Sequence, residues 1–397
     1  MTRILHVILT VDPRYGGPIE GVMRSAEVLD RFGHVRHIVS LDPPTEEWVR
    51  AAPVKVFALG PSSNLYRTLK RFFPLLRYGY TPNLRRWLKA NANKYDAIVI
   101  NGMWNYASLG TWSAVRHLNV PYFVFPHGML DPWSVKQFPI KGLAKQIFWI
   151  LFERLVLRDA AGTMYTCASE MHLAKLKFFP YSARDYVVGY GTKDIPPADP
   201  KQLEAFFTLV PKARGRKLIL FLSRIHEKKG VDLLLYAFSR ICGDYPNLDL
   251  VIAGPDQNGL KASLTDLTRK LTIENRVHWP GMLTGHAKWG AFRASEFFVL
   301  PSHQENFGIA IVEALAAELP VLITDKVNIW QEIEWARAGI VITDTLDAIE
   351  EGLRSMCALG VQERSEVCKN ARDLFLNKFN LDEIALKHLA MYESLKR

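Results

Sequence analysis

Short apolar runs rich in Val, Ile, Leu and Phe recur along this chain, each followed by a stretch of helical character. That alternation limits its fold more than any other feature. In the first half the runs fall at 3–11, 35–41, 54–58, 97–100 (AIVI) and 121–125 (YFVFP). In the second they fall at 218–223 (LILFLS), 248–254 (LDLVIAG), 276–281 (RVHWPG), 297–302 (FFVLPS) and 320–324 (PVLIT). Strands that alternate with helices predict doubly wound parallel sheets rather than hairpins. Between the halves lies GYGTKDIPPADP, 189–200, a Gly- and Pro-rich linker. A chain of 397 residues is also too long for one ordinary core. Two α/β domains are expected, with a cleft between them and ligands beyond the carboxyl ends of the strands.

Composition narrows the class. With 49% hydrophobic and 23% charged residues the chain is not a disordered polymer. No run approaches the roughly 18–20 apolar residues a spanning helix needs; the longest candidate, IFWILF at 147–152, is bounded by Lys145 and by Glu153 and Arg154. The opening MTRILHVILTVDPRYGGP lacks a small-residue cleavage site and reads as a first strand rather than an export signal. Cys167, Cys242, Cys357 and Cys368 show neither a CxxC nor a Cys/His ligand spacing, which predicts free thiols in a reducing compartment and no metal site. A cytoplasmic protein is the expectation. Residues 1–195 carry 25 Lys and Arg against 14 Asp and Glu, a balance of +11, while the remainder of the net +10 comes to −1. Such asymmetry points to a surface that meets an anionic partner.

The densest chemistry lies at 301–324, PSHQENFGIAIVEALAAELPVLIT. Glu305 follows the FFVLP strand, Asn306, Phe307 and Gly308 open a helix, and Glu313 is expected two turns down it. A helix N-terminus offers unpaired backbone N–H groups and partial positive charge, which suits a phosphate. A carboxylate on each side can accept hydrogen bonds from sugar hydroxyls, and phosphate with hydroxyls suggests a nucleotide sugar. A second constellation, SRIHEKKG, follows the strand at 218–223. Arg224 and Lys229 could there neutralise a diphosphate, Arg with its planar fork and Lys as a point charge. Taken alone, that loop reads equally as a solvated basic turn.

In order along the chain, SRIHEKKG, VIAGP, VHWPG and ENFGIAIVEALAAELPVL resemble the nucleotide-binding half of retaining glycosyltransferases of family 4 (group 1), which have the GT-B fold. The resemblance covers most of 216–395, and Glu305 and Glu313 meet the family's E-x7-E spacing. The end, KFNLDEIALKHLAMYESL, resembles the family's terminal helix, which crosses back onto the first domain. The resemblance implies an α/β fold of GT-B type with two Rossmann-like domains facing a central cleft. An acceptor-binding domain would span 1–195, a nucleotide-sugar-binding domain 196–378 and a crossover helix 379–397. It implies that Arg224 and Lys229 hold the donor diphosphate and stabilise the leaving group, that Glu305 binds hydroxyls of the transferred sugar, and that Glu313 binds the ribose. Backbone N–H groups of Phe307, Gly308 and Ile309, beside Asn306, would meet the distal phosphate or sugar, and a residue near Met282 would line the base pocket through its backbone.

In the first half, Gly17 of the Gly16-Gly17 pair fits the family's glycine turn, where backbone approaches phosphate or acceptor closely. The segment is not GxGxxG, which speaks against a dinucleotide-binding dehydrogenase. His127, in FPHGMLDPWS at 125–134, matches a family histidine near the donor sugar and phosphate, and Ser169, in TMYTCASE, matches a serine after this domain's last strand. The implied reaction retains the anomeric configuration by same-face attack, with double displacement through Glu305 as the other route. No D-x-D occurs in the sequence, which agrees with metal-independent catalysis, and no cofactor is expected.

From Ser62 to Tyr95 there is no acidic residue, but Arg67, Lys70, Arg71, Arg77, Arg85, Arg86, Lys89 and Lys94 alternate with aromatic and aliphatic ones. The stretch 136–158, KQFPIKGLAKQIFWILFERLVLR, repeats the mixture. Cations beside apolar residues suit an anionic membrane surface better than nucleic acid. The expectation is peripheral attachment to the inner face of the plasma membrane and a polyprenyl-diphosphate-linked saccharide acceptor. FPHGMLDPWS further resembles bacterial transferases of surface-polysaccharide assembly (exopolysaccharide or lipopolysaccharide), which favours a GDP-mannose-type donor over a UDP-sugar. Two other classes stand beside this one: a GT-B-fold nucleotide-sugar epimerase, and a non-catalytic basic membrane-binding protein.

Overall fold

The computed structural model describes residues 1–62, 72–132, 139–256 and 258–394. Arg67, Lys70, Arg71 and Lys136 of the basic stretches lie outside the described residues. The chain divides into two units, Met1–Gly191 together with the segment from Leu381, and Thr192–Asn380.

Each unit is built on one parallel sheet. The first has seven strands: β1 (Arg3–Ile8), β2 (Val35–Ser40), β3 (Val56–Ala58), β4 (Ala97–Asn101), β5 (Tyr122–Phe125), β6 (Gly162–Tyr165) and β7 (Asp185–Val187). Their order is β3-β2-β1-β4-β5-β6-β7. The second has six: β8 (Lys217–Leu222), β9 (Leu248–Ala253), β10 (Val277–Gly281), β11 (Phe297–Leu300), β12 (Val321–Thr324) and β13 (Gly339–Ile342), in the order β10-β9-β8-β11-β12-β13. Helices supply the crossovers that parallel neighbours require. Both units are thus Rossmann-like. In each sheet the order reverses once, between β1 and β4 and between β8 and β11, and in such folds the ligand crevice opens at that reversal, outside the carboxyl ends.

The period of two along a strand assigns the faces of the first sheet. Leu5, Val7, Ile98, Ile100, Tyr122 and Val124 pack on one side with Leu84, Leu88, Trp112 and Trp149. Ile4, Val99, Phe123 and Phe125 pack on the other with Val28 and Leu29 of the helix Gly17–Arg31. The same side takes Leu381, Ala385, Leu389 and Tyr392 of the C-terminal helix Leu381–Ser394. The last helix of the chain therefore completes the core of the first unit.

One local expectation is corrected. Gly308 adopts the left-handed conformation (φ 76°, ψ 68°) and caps the helix Ile309–Ala316. Glu313 then lies about one turn inside that helix, not two.

Candidate active site

The loop leaving β8 is shaped by two close approaches. Gly254 (φ 143°) lets β9 turn so near the chain that an added Cβ would stand 1.7 Å from the Ser223 carbonyl oxygen. Gly230 (φ 63°) would similarly place a Cβ 2.2 Å from the Pro301 carbonyl, so only glycine fits between this loop and the end of β11. Between them, His226 caps a single turn, Glu227–Lys229, with its Nδ1 accepting from the Lys228 N–H at 3.1 Å. Burial, with Arg224 and Lys228 nearby, lowers the His226 pKa, which agrees with an accepting nitrogen. Arg224 stays exposed, whereas Lys229 is 5% exposed.

Strand order brings β8 beside β11, and Lys229 Nζ reaches Glu305 Oε2 at 2.5 Å. A buried ammonium demands such a partner. The Glu305 backbone is itself clamped: its N–H donates to the Lys326 carbonyl and its carbonyl accepts from the Asn328 N–H, both at 3.0 Å. Asn328 Nδ2 donates to Asn306 Oδ1 at 3.2 Å, which holds the next residue. Burial pushes the Glu305 pKa up, but the charge and hydrogen bond of Lys229, the field of Arg224 and the Phe307 N–H outweigh it, leaving the pKa below the ordinary value. Glu305 is thus an ionised hydrogen-bond acceptor, not an acid. The Phe307 N–H, expected to face a phosphate, donates instead to the Glu305 carboxylate, because the turn folds that side chain back over it. Gly308 and Ile309 remain at the head of the helix.

Glu313 is 3% exposed, and Lys288 Nζ, from the helix Gly285–Ala294, donates to its Oε1 at 2.8 Å. The Lys288 ammonium also lies 4.4 Å from the Trp289 ring centroid. Lys288 escaped the sequence reading: its partner is 25 residues away, and no local pattern marks an isolated lysine in the helical sequence GHAKW as paired. Met282, in the turn after β10, is 68% exposed. Its side chain fills no core.

In the first unit the candidates gather around His127. This residue is left-handed (φ 51°), a conformation that costs a non-glycine residue energy, and Gly128 continues it (φ 75°). The His127 ring stacks on Phe125 with centroids 4.1 Å apart. Its Nε2 lies 3.2 Å from Asn101 Oδ1 at the end of β4, and Asn101 Nδ2 lies 2.9 Å from His6 Nδ1. Asn101 Nδ2 also donates to the Val99 carbonyl, which fixes the amide orientation and so makes His127 Nε2 the donor. Burial first, and then His388, lower the His127 pKa to about 3, so the ring is neutral. The Gly128 N–H donates to Glu170 Oε1 at 2.5 Å, and Glu170 Oε2 accepts from Thr166.

Ser169 stands beside Glu170 in the first turn of the helix Ala168–Lys177, after β6; it does not follow the domain's last strand as expected, because β7 adds a further edge strand to the sheet. Gly17 heads the helix Gly17–Arg31 after Gly16 (φ 79°), and its carbonyl accepts from Tyr190 at 2.7 Å. The Tyr190 ring meets His127 edge-on at 6.0 Å. Gly17 and His127 are therefore joined through Tyr190, and Ser169 adjoins them through Glu170. Lys229, Glu305 and Arg224 form the corresponding group in the second unit, and Glu313 pairs separately with Lys288. Asn101, Glu170 and Tyr190 were missed in the sequence. A polar residue ending an otherwise apolar strand, as Asn101 does, was the one available signal.

A family profile described as glycosyl transferases group 1 matches residues 205–374, and one described as glycosyl transferase 4-like domain matches 16–190. A glycosyltransferase of Methanocaldococcus jannaschii is 30% identical over 179 residues, 45% of this chain and 45% of that protein. The chain thus spans under half the length of that relative. The D-inositol 3-phosphate glycosyltransferase of Jonesia denitrificans is 25% identical over 312 residues, 75% of this chain and 72% of that one. The crystal structure of Anabaena HepE in complex with UDP and glucose superposes with a TM-score of 0.74 at 17% identity, covering 99% of this chain and 100% of that one.

Proposed function

From the premise that this chain belongs to the group 1 glycosyltransferases of GT-B fold, we propose that it moves a hexose, with retention, from a nucleoside-diphosphate sugar to a lipid-linked saccharide acceptor. The observation that carries this reading is the Lys229–Glu305 contact at the β8/β11 reversal, with exposed Arg224 beside it and the helix Ile309–Ala316 starting just beyond. Breaking a glycosyl–phosphate bond builds negative charge on the departing diphosphate. Arg224, Lys229 and the helix-end N–H groups of Gly308 and Ile309 are the preset donors that would stabilise it. Glu305, held ionised, would accept from the sugar hydroxyls, and Glu313 from the ribose. His127, Gly17 and Ser169 are the residues proposed to serve donor binding in the first unit.

Same-face attack is the route this arrangement favours. Glu305 is engaged by Lys229 and by the Phe307 N–H, which makes it a poor nucleophile for double displacement. Metal independence is proposed on the absence of a D-x-D sequence. A role in bacterial surface-polysaccharide assembly and a station at the inner face of the membrane follow from the resemblance and the basic first half. Among the described residues no helix is long and apolar enough to cross a membrane. A GDP-mannose-type donor stands first, on the resemblance of FPHGMLDPWS to surface-polysaccharide transferases, and a UDP-sugar second; a base read through the backbone near Met282 leaves no side chain to choose between them.

A thermal-shift panel of nucleoside diphosphates tests the donor. Stabilisation of several degrees by GDP alone is the expected result. Selective stabilisation by UDP replaces the donor, and no shift with any nucleotide overturns the nucleotide-sugar site. Product analysis without acceptor separates an epimerase, which would convert the donor sugar unaided.

A further inference from the structure

The helical segment that runs from Pro139 through the wide turn Trp149–Glu153 carries an apolar row that no described residue covers. Leu143, Ile147, Ile150 and Leu151 recur at the spacing of one helix face. All are exposed, Leu143 at 65% and Leu151 at 54%. The opposite face is fixed inward. Trp149 is fully buried, with Nε1 donating to the Pro180 carbonyl at 3.0 Å. The buried Glu153 carboxylate accepts from the Trp104 N–H at 2.9 Å and from Ser108 Oγ at 2.8 Å. Rolling the helix to hide the row would break these bonds and expose Trp149, so the row is not core turned outward by chance.

Scattered exposed apolar residues need no explanation, but a contiguous row does. Phe179, 79% exposed, extends it, because its backbone N–H and carbonyl both bond the Gln146 side chain of the same helix. The charged rim is of one sign. Arg154, whose Nε donates to the Ile150 carbonyl, and exposed Lys177, two residues before Phe179, lie beside the row, while the Lys145 ammonium turns inward over the Trp104 ring at 5.0 Å; the acidic residues of these helices are Glu153 and Glu170, both buried, and Asp159, which is bonded to Arg158.

We propose that this row is a membrane-inserting face that seats the first unit on an anionic lipid surface. A cationic rim around an apolar strip complements acidic headgroups above an acyl interior. A second copy of the chain would bring the same cations against one another. The inference gives a physical surface to the membrane station proposed above and rests on that reading for its purpose, while its geometry stands apart from the transfer chemistry.

The test is flotation with phosphatidylglycerol-containing vesicles and with neutral phosphatidylcholine vesicles. Wild type is compared with Leu143→Ser/Ile147→Ser/Leu151→Ser and with the milder Leu143→Glu. Release of nucleoside diphosphate from the donor, the melting temperature and the gel-filtration profile are measured alongside. Expected is recovery of wild type with anionic vesicles and at least a tenfold lower recovery of both variants, with donor turnover and melting unchanged. Equal flotation of wild type and Leu143→Glu overturns the proposal, as does absence of wild-type flotation. A variant that only converts an oligomer into a monomer overturns it in favour of a second copy. Lipid binding that follows the row in a protein without transferase activity would sink the functional reading and leave this surface intact.

Discussion

In the second unit the two lysines of the candidate site, buried Lys229 and half-buried Lys288, each face a carboxylate: Lys229 meets Glu305 and Lys288 meets Glu313. The first unit fills its own β1/β4 reversal differently. There His127, Asn101 and His6 form a row of neutral hydrogen-bonding groups, and burial, with Arg36 and His388 nearby, keeps the imidazoles uncharged. The difference separates two tasks. Paired charges hold their geometry without ligand and can redistribute when an anionic diphosphate arrives. A neutral row orients a group without adding charge.

The most severe way to break this contrast is at Glu305. Glu305→Ala should lower sugar transfer by about a thousandfold, and Glu305→Gln, which keeps an acceptor for Lys229 but loses the charge, should recover folding more than activity. A folded Glu305→Ala enzyme with more than a tenth of wild-type turnover would remove Glu305 from the chemistry. Next comes Lys288→Met, which strands the buried Glu313 carboxylate. It should cost about 3 kcal/mol in urea denaturation and raise the donor KM. The matched change in the first unit, Asn101→Ala, breaks neutral bonds only. It should cost about 1–2 kcal/mol and act on turnover through a released His127 ring. Equal costs at the two sites would erase the distinction.

A separate effect, summed over three histidines, is on pH. His6, His127 and His388 all have folded-state pKa values below the ordinary 6.5, chiefly through burial; that of His388 is about 4. The unfolded chain therefore binds protons that the folded one does not. Their contribution is complete above about pH 6.5 and is lost as the pH falls toward 4, at up to about 1.4 kcal/mol per pH unit for each histidine. Denaturation curves at pH 7.5 and 5.0 should show this loss, and His388→Gln should flatten it. A stability that rises on acidification would contradict neutral imidazoles.

Much of this was legible because it is local. The apolar runs at 218–223, 248–254, 297–302 and 320–324 became β8, β9, β11 and β12, since strands buried on both faces are apolar at nearly every position. The short edge strand β7 escaped notice because its residues are half-buried or exposed and carry no such pattern, whereas the apolar run GIVI of edge strand β13 was simply passed over. Arg224, Lys229, Glu305 and Glu313 stood out because contiguous motifs around glycine turns carry them.

By itself, then, the sequence determined two α/β domains and the residue types gathered at the strand ends. Only the tertiary structure decided the partnerships. Lys229 and Glu305 are 76 residues apart and meet because β8 lies beside β11, an adjacency set by sheet order and not by any local pattern. The same holds for Lys288 with Glu313, and for His127 with Asn101 across β4 and β5. In the segment 142–157 nearly every turn offers apolar residues on both sides. Which side is core was decided by Trp149 and Glu153 finding partners in other elements, and that left Leu143, Ile147 and Leu151 facing outward.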